Sequence, residues 1–349
     1  MSEVNVEPPE TIYRILGRNH VYPSFDKAQG EENAALGAAP DALIFDMKDY
    51  AQQTIDLYKS VAKVDKIKPV QTPFIPDGTW PREDEDSPGE LAPKACSILM
   101  NDLWLARLSR PDILKPINDL ATKVQAWTRV HDKKLLRLIQ YLQYSLNYRL
   151  TASCQDDPKD LRLELYVDAD FGGDSGDVKS TSGGLLTLKG PKTFFPLAWI
   201  SKRQTSTSRS TTESEVVSLA HSLYQEGIPA LQLWEKLLQR PVDLVIHEDN
   251  QATIIVVRKG YSPKLRHIGR THKINLSSLK ECLDDPCINV QYIDTSEQAA
   301  DIFTKALPPQ KWYKALCLLG IRTDIREPKP SLRDRSFSLG ADVGAKAAA

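Results

Sequence analysis

The sequence predicts an α/β fold for the C-terminal half of the chain, preceded by a small helical segment. Between residues 161 and 168, apolar and polar side chains alternate, which is the period of a strand with one buried face. Further on, Val216, Leu219, Ala220 and Leu223 recur at helical spacing. The same criteria predict strands at 184–188, 194–200, 242–248 and 288–293, and helices at 211–225, 230–238, 271–282 and 297–304. The order is therefore β-β-β-α-β-α-β-α, with Gly227 and Pro229 interrupting the first helical stretch.

The rest of the chain divides by composition into further segments. Residues 1–90 are predicted to be largely irregular, and they end in a proline-rich, acidic linker at 68–90. Residues 91–152 show three helical patterns, and Arg110-Pro111-Asp112 separates the first from the second. The predicted α/β domain covers 158–322, and a disordered tail follows at 323–349.

Bulk properties exclude several classes of protein. The formal net charge is -1, which argues neither for nor against a nucleic-acid partner. The five cysteines have no zinc-like spacing, which favours reduced thiols inside a cell. No apolar run is long enough for a membrane span, and the acidic N-terminus does not resemble a signal peptide. We therefore expect an intracellular protein, in the cytoplasm or nucleus, without a membrane partner.

Four acidic residues stand where an α/β fold places functional groups. Asp168 ends the first predicted strand, and Asp249 follows the strand at 242–248. Glu215 lies one turn into the helix between them, and Asp301 lies on the last predicted helix. Four converging carboxylates repel one another unless they surround hard cations such as Mg²⁺. Spacing alone leaves open that these acids are solvated, or that Asp249 merely caps the following helix.

Five ordered blocks of sequence resemble the ribonuclease H domain of copia-type retrotransposon polyproteins. They span about residues 160–321. The blocks are Asp168-Ala169-Asp170-Phe171-Gly172-Gly173-Asp174 with Lys179-Ser180-Thr181-Ser182-Gly183-Gly184, Ser201-Lys202-Arg203-Gln204, Ser210-Thr211-Thr212-Glu213-Ser214-Glu215, Asp249-Asn250-Gln251-Ala252, and Ala299-Ala300-Asp301-Ile302-Phe303-Thr304-Lys305.

This resemblance implies a ribonuclease H-like fold, in which a five-stranded mixed sheet is flanked by helices. It also implies an endoribonuclease that cleaves the RNA strand of RNA–DNA hybrids with two divalent ions, Mg²⁺ or Mn²⁺. The implied catalytic and metal-binding residues are Asp168, Glu215, Asp249 and Asp301.

Capping patterns help to choose among neighbouring acids. Ser210 and Glu213 have the spacing of a capping box, which leaves Glu215 as the predicted ligand. By the same logic, Thr295 and Gln298 cap the last predicted helix and present Asp301. The other acids nearby, Asp170, Asp174 and Glu248, are predicted to be turn or surface residues, with an outer-shell role considered for Asp170.

Two basic stretches predict contacts with nucleic-acid phosphates. Residues 258–273 contain six basic side chains and no acid, and a second basic stretch precedes Glu215. With two polar residues from the fourth block, the predicted contacts are Lys202, Arg203, Arg209, Asn250, Gln251, Arg258, Lys259, Lys264, Arg266, Arg270 and Lys273. The predicted partner is an RNA–DNA hybrid.

The sequence departs from the family pattern at two places. Residues 270–275 read Arg-Thr-His-Lys-Ile-Asn, where the family usually shows Arg-Thr-Lys-His-Ile-Asp. In addition, Gly227-Ile228-Pro229 falls within a helix that is continuous in the family.

The N-terminal half resembles the segment that links polymerase to ribonuclease H in the same polyproteins. The likeness covers 97–113 and continues through His131 and 138–142. The aromatic-x-Asp-Asp hairpin of a polymerase is missing, so the polymerase part of a reverse transcriptase is a predicted partner rather than an activity of this chain.

Two alternatives remain open from the sequence. One is a catalytically inactive retroelement relic that binds nucleic acid through 258–273. The other is an integrase or transposase, which the order of Glu215 and Asp301 disfavours because such enzymes need a final Glu on the last helix.

Overall fold

The computed structural model describes residues 14–21, 42–76, 78–172 and 178–323. Within these ranges, ten strands form one sheet. The strands are β1 (Arg14–Ile15), β2 (Arg18–Val21), β3 (Ala42–Asp46), β4 (Arg149–Ser153), β5 (Arg162–Asp170), β6 (Thr181–Lys189), β7 (Phe194–Arg203), β8 (Leu244–Glu248), β9 (Ile288–Tyr292) and β10 (Ile321–Arg322). Of residues 1–90, which are predicted to be largely irregular, 1–13, 22–41 and 77 lie outside the described residues, and the described part contains β1, β2 and β3. Most of the predicted tail 323–349 also lies outside the described residues.

Five strands at one end of the sheet match the predicted architecture. Their order is β7-β6-β5-β8-β9. Strands β5, β6 and β7 pair antiparallel, whereas β8 runs parallel to both β5 and β9. The prediction of an α/β fold with a five-stranded mixed sheet is therefore confirmed. The sheet then continues beyond β7 through β4, β3, β2 and β1, and β10 pairs with β4.

Helices cover both faces of this sheet. The longer ones among the described residues are α1 (Lys48–Ala62), α2 (Ala92–Leu108), α3 (Leu114–Ala121), α4 (Arg129–Tyr144), α5 (Thr211–Ser222), α6 (Ile228–Leu238), α7 (Gln251–Lys259), α8 (Leu276–Leu283) and α9 (Pro309–Leu318). None of the described helices is long and apolar enough to cross a membrane.

Strand β5 is buried on both faces, whereas its alternating sequence predicts only one buried face. Leu163, Leu165 and Val167 belong to a hydrophobic core that also contains side chains of α5, α7 and α8. Tyr166 points the other way and belongs to a second core with side chains of α1 to α4 and α9. Since successive side chains of a strand point to opposite faces, β5 is buried on both sides and lies at the centre of the fold.

The second core contains residues from both sides of the predicted boundary at 152–158. Leu138 and Tyr141 of α4 lie in it together with Phe303 and Trp312. The Trp312 indole N–H donates to the Tyr141 hydroxyl oxygen at 3.2 Å. The helical segment therefore packs directly on the C-terminal part of the chain, while the division into domains stays a prediction.

The predicted interruption at Gly227 is wrong. Helices α5 and α6 are joined by a π-helical turn, Leu223–Gly227, in which the Ile228 N–H donates to the carbonyl of Leu223, five residues earlier. Such a widened turn accommodates Pro229, which lacks an N–H and crowds the carbonyl four residues before it. A Cβ atom on Gly227 would lie 3.2 Å from the side chain of Leu244 and 3.3 Å from that of Leu165. Glycine thus lets the continuous helix lie close to β5 and β8.

The prediction of a last helix at 297–304 is also wrong. The chain forms two separate 3₁₀ turns there, Thr295–Glu297 and Asp301–Phe303. Gln298 between them is buried, and its side-chain amide donates to the Val167 carbonyl at 3.0 Å. This tertiary contact holds residue 298 at the end of β5. The cap is Asp294, whose side chain accepts from the Ser296 N–H, rather than Thr295.

Boundaries shift elsewhere because capping residues were overlooked. Helix α8 begins at Leu276, five residues later than predicted, because the Asn275 side chain accepts from the N–H groups of Ser277 and Ser278. Asn250 caps α7 in the same way, and α7 was absent from the predicted order of elements. Helix α9 was not predicted either.

Candidate metal centre

The four predicted acids lie around one pocket at the edge of the sheet. Asp168 comes near the end of β5, and Asp249 directly follows β8, which is the parallel neighbour of β5. Parallel neighbours end at the same edge, so the two carboxylates meet there. Glu215 of α5 lines this pocket with Asp168 and Asp249, and Asp301 of the second 3₁₀ turn lies beside the latter two without lining it.

The carboxylates form two groups that share Asp249. In subsite A, one oxygen each of Asp168, Asp249 and Asp301 lies within 4.8 Å of the others. In subsite B, the same holds for Glu215, Glu248 and Asp249. The structure therefore brings the four predicted acids together and adds a fifth, Glu248.

Glu248 was predicted to be a turn or surface acid, and that prediction is wrong. Its side chain is completely buried, and its Oε1 accepts the Asn250 N–H at 3.0 Å. Leu244, Ile246 and Glu248 occupy alternate positions of β8, all three of them buried. The two-residue period thus carried a signal that Glu248 points inward.

Hydrogen bonds hold the acids of subsite A in place. Ser218 of α5 donates to the Asp168 carbonyl at 2.7 Å, which fixes the backbone of β5 beside the helix. The Thr304 hydroxyl donates to Asp168 Oδ2. Thr295 was predicted to cap a helix. Its hydroxyl instead donates to Asp249 Oδ2 at 2.8 Å.

Ser210 caps α5 as predicted, but the return hydrogen bond of the capping box goes to Arg209 and not to Ser210. Ser210 Oγ accepts the Glu213 N–H at 3.2 Å, and Glu213 Oε2 accepts the Arg209 N–H at 2.9 Å. Glu213 also lies 3.0 Å from His267 Nε2, so it connects α5 to the basic segment 258–273. Because Glu213 is used in this way, Glu215 is the acid of this block that faces the pocket.

Burial and mutual repulsion make these acids unusually weak. Burial raises the pKa of Glu215 to about 11, and the carboxylates of Glu248, Asp168 and Asp249 contribute to the same rise. Burial likewise raises the pKa of Glu248 well above its usual range and that of Asp301 to about 6. Such a site favours bound protons or bound cations over free negative charge.

Lys305 is a residue of the pocket to which sequence reasoning assigned no function. Its ammonium lies 3.0 Å from Asp168 Oδ1 and 2.7 Å from Asp301 Oδ1. Burial lowers the pKa of Lys305, but the two carboxylates outweigh this effect and raise it above its usual range. The available signal was its position in the fifth block, four residues after Asp301.

Asp170 lines the pocket and is half-buried, and burial raises its pKa. Its position is compatible with the outer-shell role considered for it. Asp174 lies outside the described residues.

The residues predicted to contact nucleic acid differ in exposure and in whether their side chains already form hydrogen bonds. All six basic residues of 258–273 are exposed, as are Lys202, Arg209 and Gln251, whereas Arg203 is half-buried. Arg258 nevertheless donates to the Val290 carbonyl at 2.5 Å, and the Asn250 side chain is engaged in capping α7. Their contact with nucleic acid stays a prediction.

Sequence comparison connects the chain to retroelements. The Pol polyprotein of transposon RE1 from Arabidopsis thaliana is 29% identical over 259 residues, which are 73% of this chain and 16% of that protein. The Pol polyprotein of transposon TNT 1-94 from Nicotiana tabacum is 26% identical over 264 residues, which are 74% of this chain and 19% of that protein. This chain thus spans less than a fifth of these relatives. A shorter relative, secreted RxLR effector protein 161 of Plasmopara viticola, is 31% identical over 126 residues, which are 36% of this chain and 83% of that protein.

Structural comparison finds ribonuclease H domains. LC11-RNase H1, isolated from compost, is 16% identical with a TM-score of 0.29, over 44% of this chain and 98% of that one. A foamy viral protease-reverse transcriptase in complex with an RNA/DNA hybrid is 17% identical with a TM-score of 0.35, over 58% of this chain and 25% of that one. Scores this low support no conclusion about substrate or activity.

No family model matches the sequence. The likeness to retroelements therefore depends on the relatives and on the ordered blocks. The homologues of this chain are copia-type retrotransposon Pol polyproteins, which match about 70% of its length.

Proposed function

We propose that the chain is an endoribonuclease of a retrotransposon Pol polyprotein that hydrolyses the RNA strand of RNA–DNA hybrids with two divalent ions. Its proposed catalytic and metal-binding residues are Asp168, Glu215, Asp249 and Asp301, to which we add Glu248. We also propose the polymerase part of a reverse transcriptase as its partner within the polyprotein.

One observation carries this proposal: two carboxylate groups share Asp249 at the edge of the sheet. Glu215 Oε2 and Glu248 Oε2 are buried and have no hydrogen-bond partner among the described residues. Leaving such oxygens unpaired is costly, so the site fits a ligand that supplies positive charge. The donors are all oxygens, which is the ligand type that Mg²⁺ and Mn²⁺ prefer.

Different residues of the chain would contribute to hydrolysis in different ways. When bound, two divalent ions supply a water activated for attack at phosphorus and stabilisation of the leaving oxygen. Asp168, Asp249 and Asp301 would hold one ion and Glu215, Glu248 and Asp249 the other, with Asp249 belonging to both groups. The exposed cations of 258–273 bind phosphates along the duplex without reading its sequence. A hybrid is then distinguished by its groove shape and 2′-hydroxyls.

A cleavage assay on the full chain tests the proposal. The substrates are an RNA–DNA hybrid, a DNA duplex and an RNA duplex, each with Mg²⁺ or Mn²⁺ and each with a chelator. We expect cleavage of the RNA strand of the hybrid alone, and none with the chelator. Asp249→Asn is expected to slow cleavage by roughly 10³-fold, because charge stabilisation by bound metal amounts to several kcal/mol.

The matched control is Asp243→Asn, which changes an exposed aspartate six residues earlier. It is expected to cleave at the wild-type rate, which shows that removal of an aspartate charge does not by itself abolish cleavage. The loss of cleavage in Asp249→Asn, prepared in the same way, rules out a contaminating nuclease. If well-folded protein cleaves no hybrid with either metal, the proposal is wrong. Salt-dependent binding of the hybrid without turnover then identifies the inactive relic, and strand transfer on the DNA duplex identifies an integrase-like enzyme.

A further inference from the structure

Lys305 holds the position in subsite A that a divalent cation needs. Its ammonium contacts Asp168 Oδ1 at 3.0 Å and Asp301 Oδ1 at 2.7 Å. Asp168 is completely buried, so this ammonium is the cation that compensates its charge. The Lys305 side chain itself is 35% exposed, which places it between the buried acids and the solvent.

A divalent ion and the ammonium cannot occupy this position together. An Mg²⁺ ion binds carboxylate oxygens at about 2.1 Å. The oxygens available to it in subsite A include the two that Lys305 already contacts. Two cations around the same pair of oxygens repel each other strongly where water is excluded. Binding at subsite A therefore requires Lys305 to leave.

Subsite B differs in this respect. Glu215 Oε2 and Glu248 Oε2 are buried and accept no hydrogen bond from the described residues. A divalent ion at subsite B thus meets carboxyl oxygens that no side-chain cation of the described chain contacts. The two subsites are chemically unequal before any ion binds.

We propose that Lys305 is an internal competitor for the divalent ion of subsite A. This inference rests on the proposed function, because it takes subsite A as a metal site. Lys305 pairs with Asp168 and Asp301 when divalent ions are scarce, and it is displaced when they are abundant. Its flexible four-carbon stem and its place near solvent allow it to move without a change in the backbone. Lys305 thereby sets the ion concentration at which the pocket holds both ions.

Calorimetric titration of the full chain with Mn²⁺, without any substrate, tests this inference. The wild type is expected to bind two ions with unequal affinity. Lys305→Met keeps the length of the side chain and removes its charge, and it is expected to tighten the weaker event by about tenfold. Lys305→Arg keeps the charge and should bind as the wild type does. Lys314→Met, which removes an ammonium paired with Glu297 on the surface, is the matched control and should change neither event.

Two results would overturn the inference. One is an unchanged or weaker affinity in folded Lys305→Met, which would mean that Lys305 merely holds the acids in place. The other is an absence of binding in both the wild type and Lys305→Met. If Lys305→Met does not fold, NMR of wild-type protein labelled with ¹⁵N at the lysine side chains shows whether Lys305 leaves Asp168 and Asp301 when metal binds. The Lys305 ammonium is expected to change from a paired to a solvated state as Mg²⁺ is added, and pairing retained at saturation contradicts the inference.

This experiment is independent of hybrid cleavage. An inactive protein that shows the Lys305 effect leaves the inference standing while the proposed activity fails. An active nuclease whose affinity for Mn²⁺ is unaffected by Lys305→Met retains the proposed activity and contradicts the inference.

Discussion

Glu215→Gln is expected to stabilise the metal-free protein and to remove much of the stabilisation that Mn²⁺ gives to the wild type. Glu215 is 4% exposed, and its pKa of about 11 lies far above the value of about 4.5 in an unfolded chain. A raised folded-state pKa means that wild-type stability is fully present below pH 4.5 and is lost as the pH rises towards 11. At pH 7.5, three pH units above the unfolded value, the penalty removed by Gln is up to about 4 kcal/mol.

Chemical denaturation at pH 5 and pH 7.5, with and without saturating Mn²⁺, measures this effect. Without metal, the variant is expected to be the more stable protein, and its advantage should grow with pH. With Mn²⁺ at about 100 times its Kd, the wild type gains about 2.7 kcal/mol and the variant gains less. Glu281→Gln on the exposed face of α8 is the control and should change little. An advantage that does not grow with pH would show that Glu215 is not held in an unfavourable environment.

Asp112→Ala is expected to lower the free energy of unfolding by about 3–5 kcal/mol. Arg110 Nε and Nη2 donate to the two oxygens of Asp112 at 2.9 and 2.7 Å, and the Tyr141 hydroxyl donates to Oδ2 at 2.6 Å. Arg110 and Asp112 are 3% and 0% exposed. Removing the carboxylate leaves a guanidinium buried without its counter-ion, which costs far more than the pair itself contributes.

Urea denaturation of the wild type and the variant measures the loss. The control is Asp284→Ala, which breaks a surface pair with Lys280 in which the two side chains are 57% and 38% exposed, and it should cost less than about 1 kcal/mol. Because Trp312 of α9 also donates to Tyr141, Asp112→Ala should destabilise the whole chain in one transition. A separate early transition, with the C-terminal part still folded, would instead favour independent domains.

The sequence predicted elements correctly where the local pattern and the tertiary packing favour the same structure. The alternation of 161–168 predicted β5 correctly, although it predicted one buried face and the fold buries both. The spacing of Ser210 and Glu213 predicted the start of α5 and hence the orientation of Glu215. Asp168 and Asp249 were predicted to belong to a site because both stand at strand ends of an α/β fold, and the parallel pairing of β5 with β8 brings them to one edge. The convergence of the acids could thus be predicted, whereas their role as metal ligands stays a proposal.

The errors arose where tertiary contacts override local preference. The predicted helix at 297–304 gives way to two 3₁₀ turns because buried Gln298 hydrogen-bonds to the end of β5. Gly227 and Pro229 read as helix breakers, yet a π-helical turn carries the helix past them. Arg110-Pro111-Asp112 read as a mere break between helices, yet its two charged residues form a buried ion pair. None of these long-range partners is visible in a local window of sequence.

Anomalous diffraction from crystals grown with Mn²⁺ tests most directly whether the acids of subsites A and B hold two divalent ions. We expect two peaks about 4 Å apart, both in contact with the Asp249 carboxylate, one beside Asp168 and Asp301 and the other beside Glu215 and Glu248. Crystals in saturating Mn²⁺ that show no peak at these carboxylates would contradict the account.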